Sequence, residues 1–150
     1  MNLMVLLDTG VLGNVTNPNS KKSDNLACFN WLLSLPSRGY ELAIPEIADY
    51  ELRRELLRGE KVKGIQKLDN LKAELIYLSI TTSVMIRAAK LWAEVRQSGQ
   101  ATADPKSLDG DVILAAQAQL QAEQGYRVIV ATTNVKHISR FIDARPWNDI

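Results

Sequence analysis

Four short segments of the chain are rich in apolar residues, and each stops at a polar residue or a proline. They are residues 3–7, 40–44, 74–80 and 127–131. The first, LMVLL, is apolar throughout, which is typical of a strand buried on both faces of a parallel sheet. We therefore predict four β-strands, the first ending at Asp8 and the fourth at Thr132, Thr133 and Asn134.

Between these strands, apolar residues recur at intervals of three or four, the spacing of one helix face. The segments with this spacing are residues 23–35, 45–57, 62–71, 84–95 and 112–120. Pro45 suits the start of a helix, and Gly125 suits the end of the last one. Residues 98–107 lack large apolar side chains and form a predicted linker, which leads to Asp109 and Asp111 at the start of the last helix.

Strands that alternate with helices predict an α/β domain with a central, mostly parallel sheet of four or five strands and helices on both faces. The length fits a single domain over residues 1–150. Cys28 is the only cysteine, so no intramolecular disulfide can form and a reducing, cytoplasmic setting is expected. No apolar run approaches the roughly 20 residues of a membrane span, so no membrane association is expected.

The charges of the chain nearly cancel, with 18 basic and 17 acidic side chains. A protein that only binds nucleic acid usually carries an excess of Lys and Arg. The balance therefore argues against a pure binding module. It is compatible with an enzyme in which a basic rim offsets an acidic pocket.

Acidic side chains adjoin several of the predicted buried segments. Asp8 ends the first strand, and Glu51 lies on the helix after the second, while Asp109 and Asp111 begin the helix before the fourth. Ligands of open parallel sheets bind outside the carboxyl ends of the strands, so these side chains are expected to converge there. Because clustered carboxylates repel one another and oxygen ligands suit Mg²⁺ or Mn²⁺, the pattern predicts a divalent-metal site. Such a metal favours phosphodiester hydrolysis, since it polarises phosphate and generates hydroxide from water.

Each acid also has a structural interpretation, which the sequence leaves open. An aspartate at a strand end, such as Asp8, commonly belongs to a turn or caps a helix. Asp109 and Asp111 would complement the dipole at a helix start. Glu51 lies in ELRRE, a pattern typical of a solvated amphipathic helix.

Four motifs follow one another along nearly the whole chain: LLDTG at 6–10, ADYELRRE at 48–55, DVILAAQA at 111–118 and VIVATTNVKHISRF at 128–141. In this order and spacing they resemble the PIN domain, and specifically the toxin ribonucleases of VapBC toxin–antitoxin systems. The first three motifs align Asp8, Glu51 and Asp111 with the acids of that family. The fourth is similar to its LVTRNVKDF segment and aligns Thr132 and Asn134.

The resemblance implies a PIN-like fold and a metal-dependent endoribonuclease, the toxin of a toxin–antitoxin pair. It also implies a Mg²⁺ or Mn²⁺ cofactor, an RNA substrate, a homodimer and a small antitoxin whose tail enters the acidic groove. The catalytic residues that it implies are Asp8, Glu51, Asp111 and Asn134. The three acids would hold the metal, with Asp109 as a further candidate ligand, and the hydroxyl groups of Thr9 and Thr132 would support them.

Three positions depart from the family pattern. Gly10 stands where the family often has Asn, and Thr133 replaces a common Arg. Asn134 is an amide where several relatives have Asp, so it adds no negative charge. Asp109 would either compensate or cap a helix, and Glu46 is a less suitable substitute for Glu51.

Basic residues near the motifs are candidate RNA contacts. They are Arg53, Arg54, Lys136 and Arg140. The first two open a basic cluster that extends to Lys67, for which a solvated helix face and an antitoxin contact are the alternatives. His137, the only histidine, is a candidate general base, although metal-activated water makes such a base unnecessary.

Two further classes of function remain as alternatives. A PIN-like scaffold with a weakened site would bind RNA or a protein partner, and Gly10 and Asn134 favour it. A phosphotransfer enzyme with Asp8 as nucleophile is disfavoured, because the related phosphatases need a second aspartate at the position of Gly10. The chain also lacks a glycine-rich phosphate loop with lysine.

Overall fold

The computed structural model describes residues 2–17, 23–99 and 105–150. In these ranges the chain forms one five-stranded sheet in which every pair of neighbouring strands is parallel. The strands are β1 Leu3–Leu7, β2 Tyr40–Pro45, β3 Ile76–Leu78, β4 Arg127–Ala131 and β5 Ala144–Arg145. Their spatial order is β3-β2-β1-β4-β5. The α/β class and the parallel sheet predicted from the sequence are therefore confirmed.

Helices connect the strands and cover both faces of the sheet. They are α1 Thr9–Thr16, α2 Ser23–Ser34, α3 Glu46–Arg58, α4 Val62–Glu74, α5 Thr82–Gln97, α6 Pro105–Glu123 and α7 Val135–Ile138. Single 3₁₀ turns occupy Pro36–Arg38 and Trp147–Asp149. Within the described ranges, no helix is both long enough and apolar enough to cross a membrane.

Strand β1 lies at the centre of the sheet because its side chains are apolar on both faces. Val5 and Leu7 pack with Leu12 of α1 in one core cluster. Met4 and Leu6 pack on the opposite face, in a cluster that includes Leu114 and Ala118 of α6. A third cluster joins α5 to α6.

The order of the strands reverses beside β1. The chain first adds β2 and β3 on one side of β1 and then returns to add β4 and β5 on the other. In parallel α/β sheets such a reversal leaves a crevice at the carboxyl ends of the two strands that flank it. The crevice here lies at the ends of β1 and β4.

The start of α6 differs from the prediction. The helix begins at Pro105 rather than at residue 112, so the predicted linker of residues 98–107 is shorter, and part of it lies outside the described residues. The upstream turns form because Leu108 and Val112 share one face that packs against α5. Asp109 and Asp111 are thus inside the helix, and the prediction that they cap its start is wrong.

Candidate active site

Asp8 and Thr132 meet at the crevice where the strand order reverses. Leu7 of β1 is aligned with Ala131 of β4, so the next residue of each strand emerges at the same edge. The Thr132 hydroxyl donates a hydrogen bond of 2.6 Å to Asp8 Oδ2. The backbone N–H of Thr9 donates one of 2.7 Å to Asp8 Oδ1, which makes Asp8 the N-cap of α1. Asp8 therefore caps α1, as its structural interpretation predicted, and is still a candidate metal ligand.

Glu51 of α3 reaches the same crevice. The Thr9 hydroxyl donates a hydrogen bond of 2.8 Å to Glu51 Oε1. Glu51 Oε2 faces the backbone of α6 at Gly110, where an added Cβ would lie only 3.0 Å from this oxygen. A glycine at this position therefore lets α6 approach the Glu51 carboxylate.

Asp111 is the most buried of the three acids, with 9% of its surface exposed. The Asn134 side-chain amide lies 3.4 Å from Asp111 Oδ1, to which it donates a long hydrogen bond. Asp111 Oδ2 is buried and has no hydrogen-bond partner among the residues that the structure describes. A buried oxygen without a donor costs about 1–3 kcal/mol. The site thus contains a buried acceptor that the described residues leave without a donor.

The electrostatic environment of Asp111 couples the three acids. Burial raises the pKa of its carboxyl from 3.8 to about 6. The positive charge of Arg140, and that of His137 when it is protonated, lower this pKa, whereas the carboxylates of Asp8 and Glu51 raise it. Asp111 therefore lies in the combined field of both other acids, and a cation at this point would favour its ionised form.

Thr132 links the two halves of the site. Its side chain is fully buried, and its hydroxyl accepts a hydrogen bond of 2.9 Å from the backbone N–H of Asn134 while donating to Asp8. Asn134 in turn contacts Asp111. One chain of hydrogen bonds thus connects Asp8 with Asp111.

The two departures at Gly10 and Thr133 lie against each other. A Cβ at position 10 would lie 3.3 Å from the hydroxyl oxygen of Thr133, a tighter approach than an ordinary contact. A larger side chain at position 10 would therefore crowd Thr133. The two substitutions relative to the family pattern are coupled by packing.

Asp109 does not join the other acids. It is exposed and lines an apolar groove of about 350 Å³ between α5 and α6, together with Met85 and Trp92. Residues two positions apart on a helix point about 200° apart, so Asp109 and Asp111 lie on opposite sides of α6.

Glu46 has a structural partner instead of a place in the crevice. Its Oε1 accepts a hydrogen bond of 2.7 Å from the backbone N–H of Ile80, and its Oε2 accepts a longer one from the Tyr77 hydroxyl. These bonds connect α3 to β3 and to the segment that follows it. Glu46 is therefore not positioned as a substitute for Glu51.

The four candidate RNA contacts differ in availability. Arg53 is engaged by ion pairs with Asp49 at 2.7 Å and Asp69 at 2.8 Å, which raise the pKa of its guanidinium. Arg54 is exposed, and its guanidinium lies 5.1 Å from the centre of the Tyr50 ring.

The other two, Lys136 and Arg140, follow β4 in the chain. Lys136 is exposed on α7. Arg140 donates to the backbone carbonyl of His137, and its charge acts on Asp111. Arg54 and Lys136 are therefore the most accessible of the four to a polyanion. Arg140 is the one whose charge acts on Asp111.

The donor set fits a hard divalent cation. In the described ranges, no three Asp, Glu, His or Cys side chains are close enough to enclose a metal ion as they stand. Mg²⁺ in nucleases usually keeps several waters and takes only one or two carboxylates, so an enclosed cage is not required. The buried, unpaired Asp111 Oδ2 is the observation that agrees with such an ion.

Solved structures show the same fold. A structure described as VapBC2 from Rickettsia felis bound to a DNA fragment from their promoter aligns with a TM-score of 0.70 at 19% identity, over 97% of this chain and 99% of that one. VapBC-1 from nontypeable Haemophilus influenzae gives 0.64 at 15% identity, over 97% and 99%. DNA-bound VapBC from Salmonella typhimurium gives 0.60 at 20% identity, over 97% and 98%. No protein-family model and no curated protein sequence matches the chain. The predicted PIN-like fold is confirmed.

Proposed function

We propose that the chain is a metal-dependent endoribonuclease and the toxin of a VapBC-type pair, with Mg²⁺ or Mn²⁺ as its cofactor. The observation that carries the proposal is the convergence of three carboxylates from three separate elements at the crevice between β1 and β4. Asp8, Glu51 and Asp111 each come from a different part of the chain, and Asp111 retains a buried, unpaired oxygen. The fold, shared with solved VapBC structures, supports the same conclusion.

The acids would hold the metal, and the neighbouring hydroxyl groups would hold the acids. Thr132 and the Thr9 backbone fix the two oxygens of Asp8, while the Thr9 hydroxyl fixes Glu51. Asn134 orients Asp111. When bound, the metal would polarise the phosphate and lower the pKa of a bound water. Glu51, with Asp8 and Asp111, would hold the metal and orient the attacking water.

Exposed cations would bind the RNA backbone on either side of the acids. Arg54 and Lys136 are exposed, and Arg140 contributes positive charge at Asp111. Such contacts position a phosphate without reading the base sequence. The choice of RNA over DNA follows from the family resemblance.

A groove beside Glu51 would receive part of the antitoxin, in addition to the tail that would enter the acidic crevice. It has a volume of about 700 Å³ between α1, α3 and α4. Leu52, Leu56 and Val62 give it apolar walls, and its basic residues are Lys61, Lys63 and Lys67. Apolar walls with a basic rim suit an amphipathic segment that carries acidic residues. We place this complex in the cytoplasm, where RNA is available.

The homodimer would use a different surface. Met85 and Ile86 of α5 are exposed to about half or more of their area, and Trp92 follows on the same helix. Exposed apolar side chains grouped on one helix commonly mark a protein interface. The proposed dimer is testable by the mass of the protein in solution.

The test of the proposed function is cleavage of an end-labelled structured RNA with Mg²⁺, with Mn²⁺ and with EDTA. Asp8→Ala and Asp111→Ala should abolish cleavage. Asp109→Ala is the matched control, because it removes an acid two positions away on the opposite side of α6 and should leave cleavage unchanged. Cleavage that survives both of the first two substitutions would contradict the proposal. Absence of cleavage with RNA binding unaffected by EDTA would support the scaffold alternative, which the amide at Asn134 favours.

A further inference from the structure

We propose that His137 supplies a nitrogen ligand beside Asp111, so that the centre has mixed nitrogen and oxygen donors and prefers Mn²⁺ to Mg²⁺. This inference rests on the metal dependence of the proposed function. It assigns to His137 a role as ligand in place of general base, and it distinguishes the two cofactors that the acids alone leave equivalent.

The imidazole and the unpaired carboxylate oxygen face each other. His137 lies in α7, six residues after the end of β4, and its side chain is 26% exposed. Its Nδ1 is 3.9 Å from Asp111 Oδ2. That oxygen is the one that is buried without a hydrogen-bond donor. The two atoms therefore approach each other from α7 and α6.

The distance between His137 Nδ1 and Asp111 Oδ2 distinguishes two ligands of one ion from a direct hydrogen bond. It is too long for a hydrogen bond between the two atoms. Two ligands of one ion, each roughly 2.0–2.2 Å from it, lie about 3–4 Å apart. The distance of 3.9 Å is at the upper end of that range, so the two atoms are spaced as two ligands of one ion would be.

The backbone limits where the imidazole can go. The N–H of His137 donates to the carbonyl of Asn134 at 3.2 Å, and the His137 carbonyl accepts from Arg140 Nε at 3.0 Å. Asn134 is itself tied to Thr132 and Asp111. The turn that carries His137 is therefore fixed to the same residues that fix the acids.

An imidazole changes the metal preference. Mg²⁺ takes oxygen ligands almost exclusively, whereas imidazole suits transition-metal ions, and affinity for such ions rises from Mn²⁺ toward Cu²⁺. Asn134 adds no charge to the site where relatives have an aspartate. A neutral nitrogen donor at His137 adds affinity for Mn²⁺ without a further carboxylate.

A simple ion pair is the competing explanation. A protonated imidazole would attract the Asp111 carboxylate and close to about 2.7–2.9 Å as a charge-assisted hydrogen bond. The observed gap is more than that. An imidazolium also has no lone pair for a metal, so the two explanations predict opposite results when Mn²⁺ is added.

The test exploits the fact that His137 is the only histidine. The full chain, made without a histidine tag and with ¹⁵N-labelled histidine, is loaded with Mn²⁺ and examined by pulsed electron paramagnetic resonance. We expect a ¹⁵N hyperfine coupling of a directly bound nitrogen, which can come only from His137 among histidines. In parallel, calorimetry should show His137→Asn weakening Mn²⁺ binding about tenfold while changing Mg²⁺ binding by less than about twofold. Ser139→Ala, a change at an exposed position two residues away, is the matched control.

The outcomes separate this inference from the proposed function. Mn²⁺ that binds and is lost in Asp111→Ala, but without a ¹⁵N coupling, would overturn the role of His137 and leave the metal site intact. Equal weakening of Mn²⁺ and Mg²⁺ by His137→Asn would also overturn the preference. Absence of any Mn²⁺ or Mg²⁺ binding would overturn both proposals.

Discussion

The Thr132 hydroxyl donates a hydrogen bond of 2.6 Å to the Asp8 carboxylate, although the two residues are 124 positions apart in the sequence. The same hydroxyl accepts from the Asn134 backbone, so it satisfies one acceptor and one donor at once. Because Thr132 is fully buried, water cannot replace it at either place. Thr132 therefore fixes the position of Asp8, which follows β1, relative to Asn134, which follows β4.

Thr132→Val should test that relationship, since valine keeps the shape and removes the hydroxyl. One carboxylate oxygen and one backbone N–H would lose their partner, which should lower the free energy of unfolding by about 2–4 kcal/mol. Urea denaturation measures this loss. Thr132→Ser keeps the hydroxyl and should lose about 1 kcal/mol from the missing methyl group. Equal losses in the two variants would contradict the importance of the hydroxyl.

Asp111→Asn should alter the pH dependence of stability in metal-free protein. The folded protein raises the pKa of Asp111 from 3.8 to about 6, so the stabilising contribution is present below pH 3.8 and is lost as the pH rises through 6. With allowance for solvent screening, the substitution should increase the free energy of unfolding by about 1–2 kcal/mol at pH 7.5 and have little effect near pH 4. Denaturation of both proteins in EDTA at the two pH values measures the difference. A destabilising effect at pH 7.5 would contradict the assignment.

Bound metal should make the unsubstituted protein more stable than Asp111→Asn, which is the reverse of the order expected in EDTA at pH 7.5. An ion that binds only the folded protein stabilises it by about 2.7 kcal/mol at a hundredfold excess over its Kd. Mg²⁺ or Mn²⁺ should therefore raise the Tm of the unsubstituted protein, and EDTA should return it to the starting value. Asp111→Asn should show a much smaller shift in the same thermal scan. An equal shift in both proteins would place the ion elsewhere.

Gly110→Ala should separate activity from stability. Alanine normally stabilises the interior of a helix by about 1 kcal/mol relative to glycine. Here its methyl group would lie 3.0 Å from Glu51 Oε2, so the Glu51 carboxylate must move. We expect metal-dependent cleavage to fall about tenfold or more, with the Tm lowered little or not at all. Gly13→Ala in α1 is the control, because its added methyl would make only an ordinary contact of 3.7 Å with Leu52.

Arg53 and Arg54 are neighbours with different expected roles. Arg53→Ala removes a partner of Asp49, which is 3% exposed, and should lower the free energy of unfolding by about 1–3 kcal/mol. Arg54→Ala should change stability by less than about 0.5 kcal/mol but weaken RNA binding and reduce its salt dependence. Urea denaturation and fluorescence anisotropy at several salt concentrations measure the two effects. If Arg53→Ala weakened RNA binding and Arg54→Ala lowered the free energy of unfolding instead, the proposed RNA contact would be contradicted.

The sequence predicted the buried part of the fold better than its irregular parts. The bounds of β1 and β4 were predicted correctly, because an unbroken apolar run leaves little choice for a strand buried on both faces. Helix α1 was not predicted. Its sequence TGVLGNVT contains two glycines and several β-branched residues, which are weak helix formers. The helix is stabilised instead by the Asp8 cap and by burial of Val11, Leu12 and Val15.

The acids were identified from their place at element ends, but their arrangement required the three-dimensional structure. Asp109 and Asp111 were treated together because both were expected at the start of α6, which instead begins at Pro105. Once both residues lie inside a helix, their spacing of two puts them on opposite sides. The approach of His137 to Asp111 depends on α7, a single helical turn with no distinct periodic signal. Local sequence patterns do not encode such a contact.

The strand order has a consequence for how the protein is made. The crevice needs both β1 and β4, and β4 is synthesised more than a hundred residues after β1. A nascent chain that ends before β4 carries Asp8 and Glu51 without Thr132 or Asn134. Any fragment that lacks β4 therefore cannot complete the site.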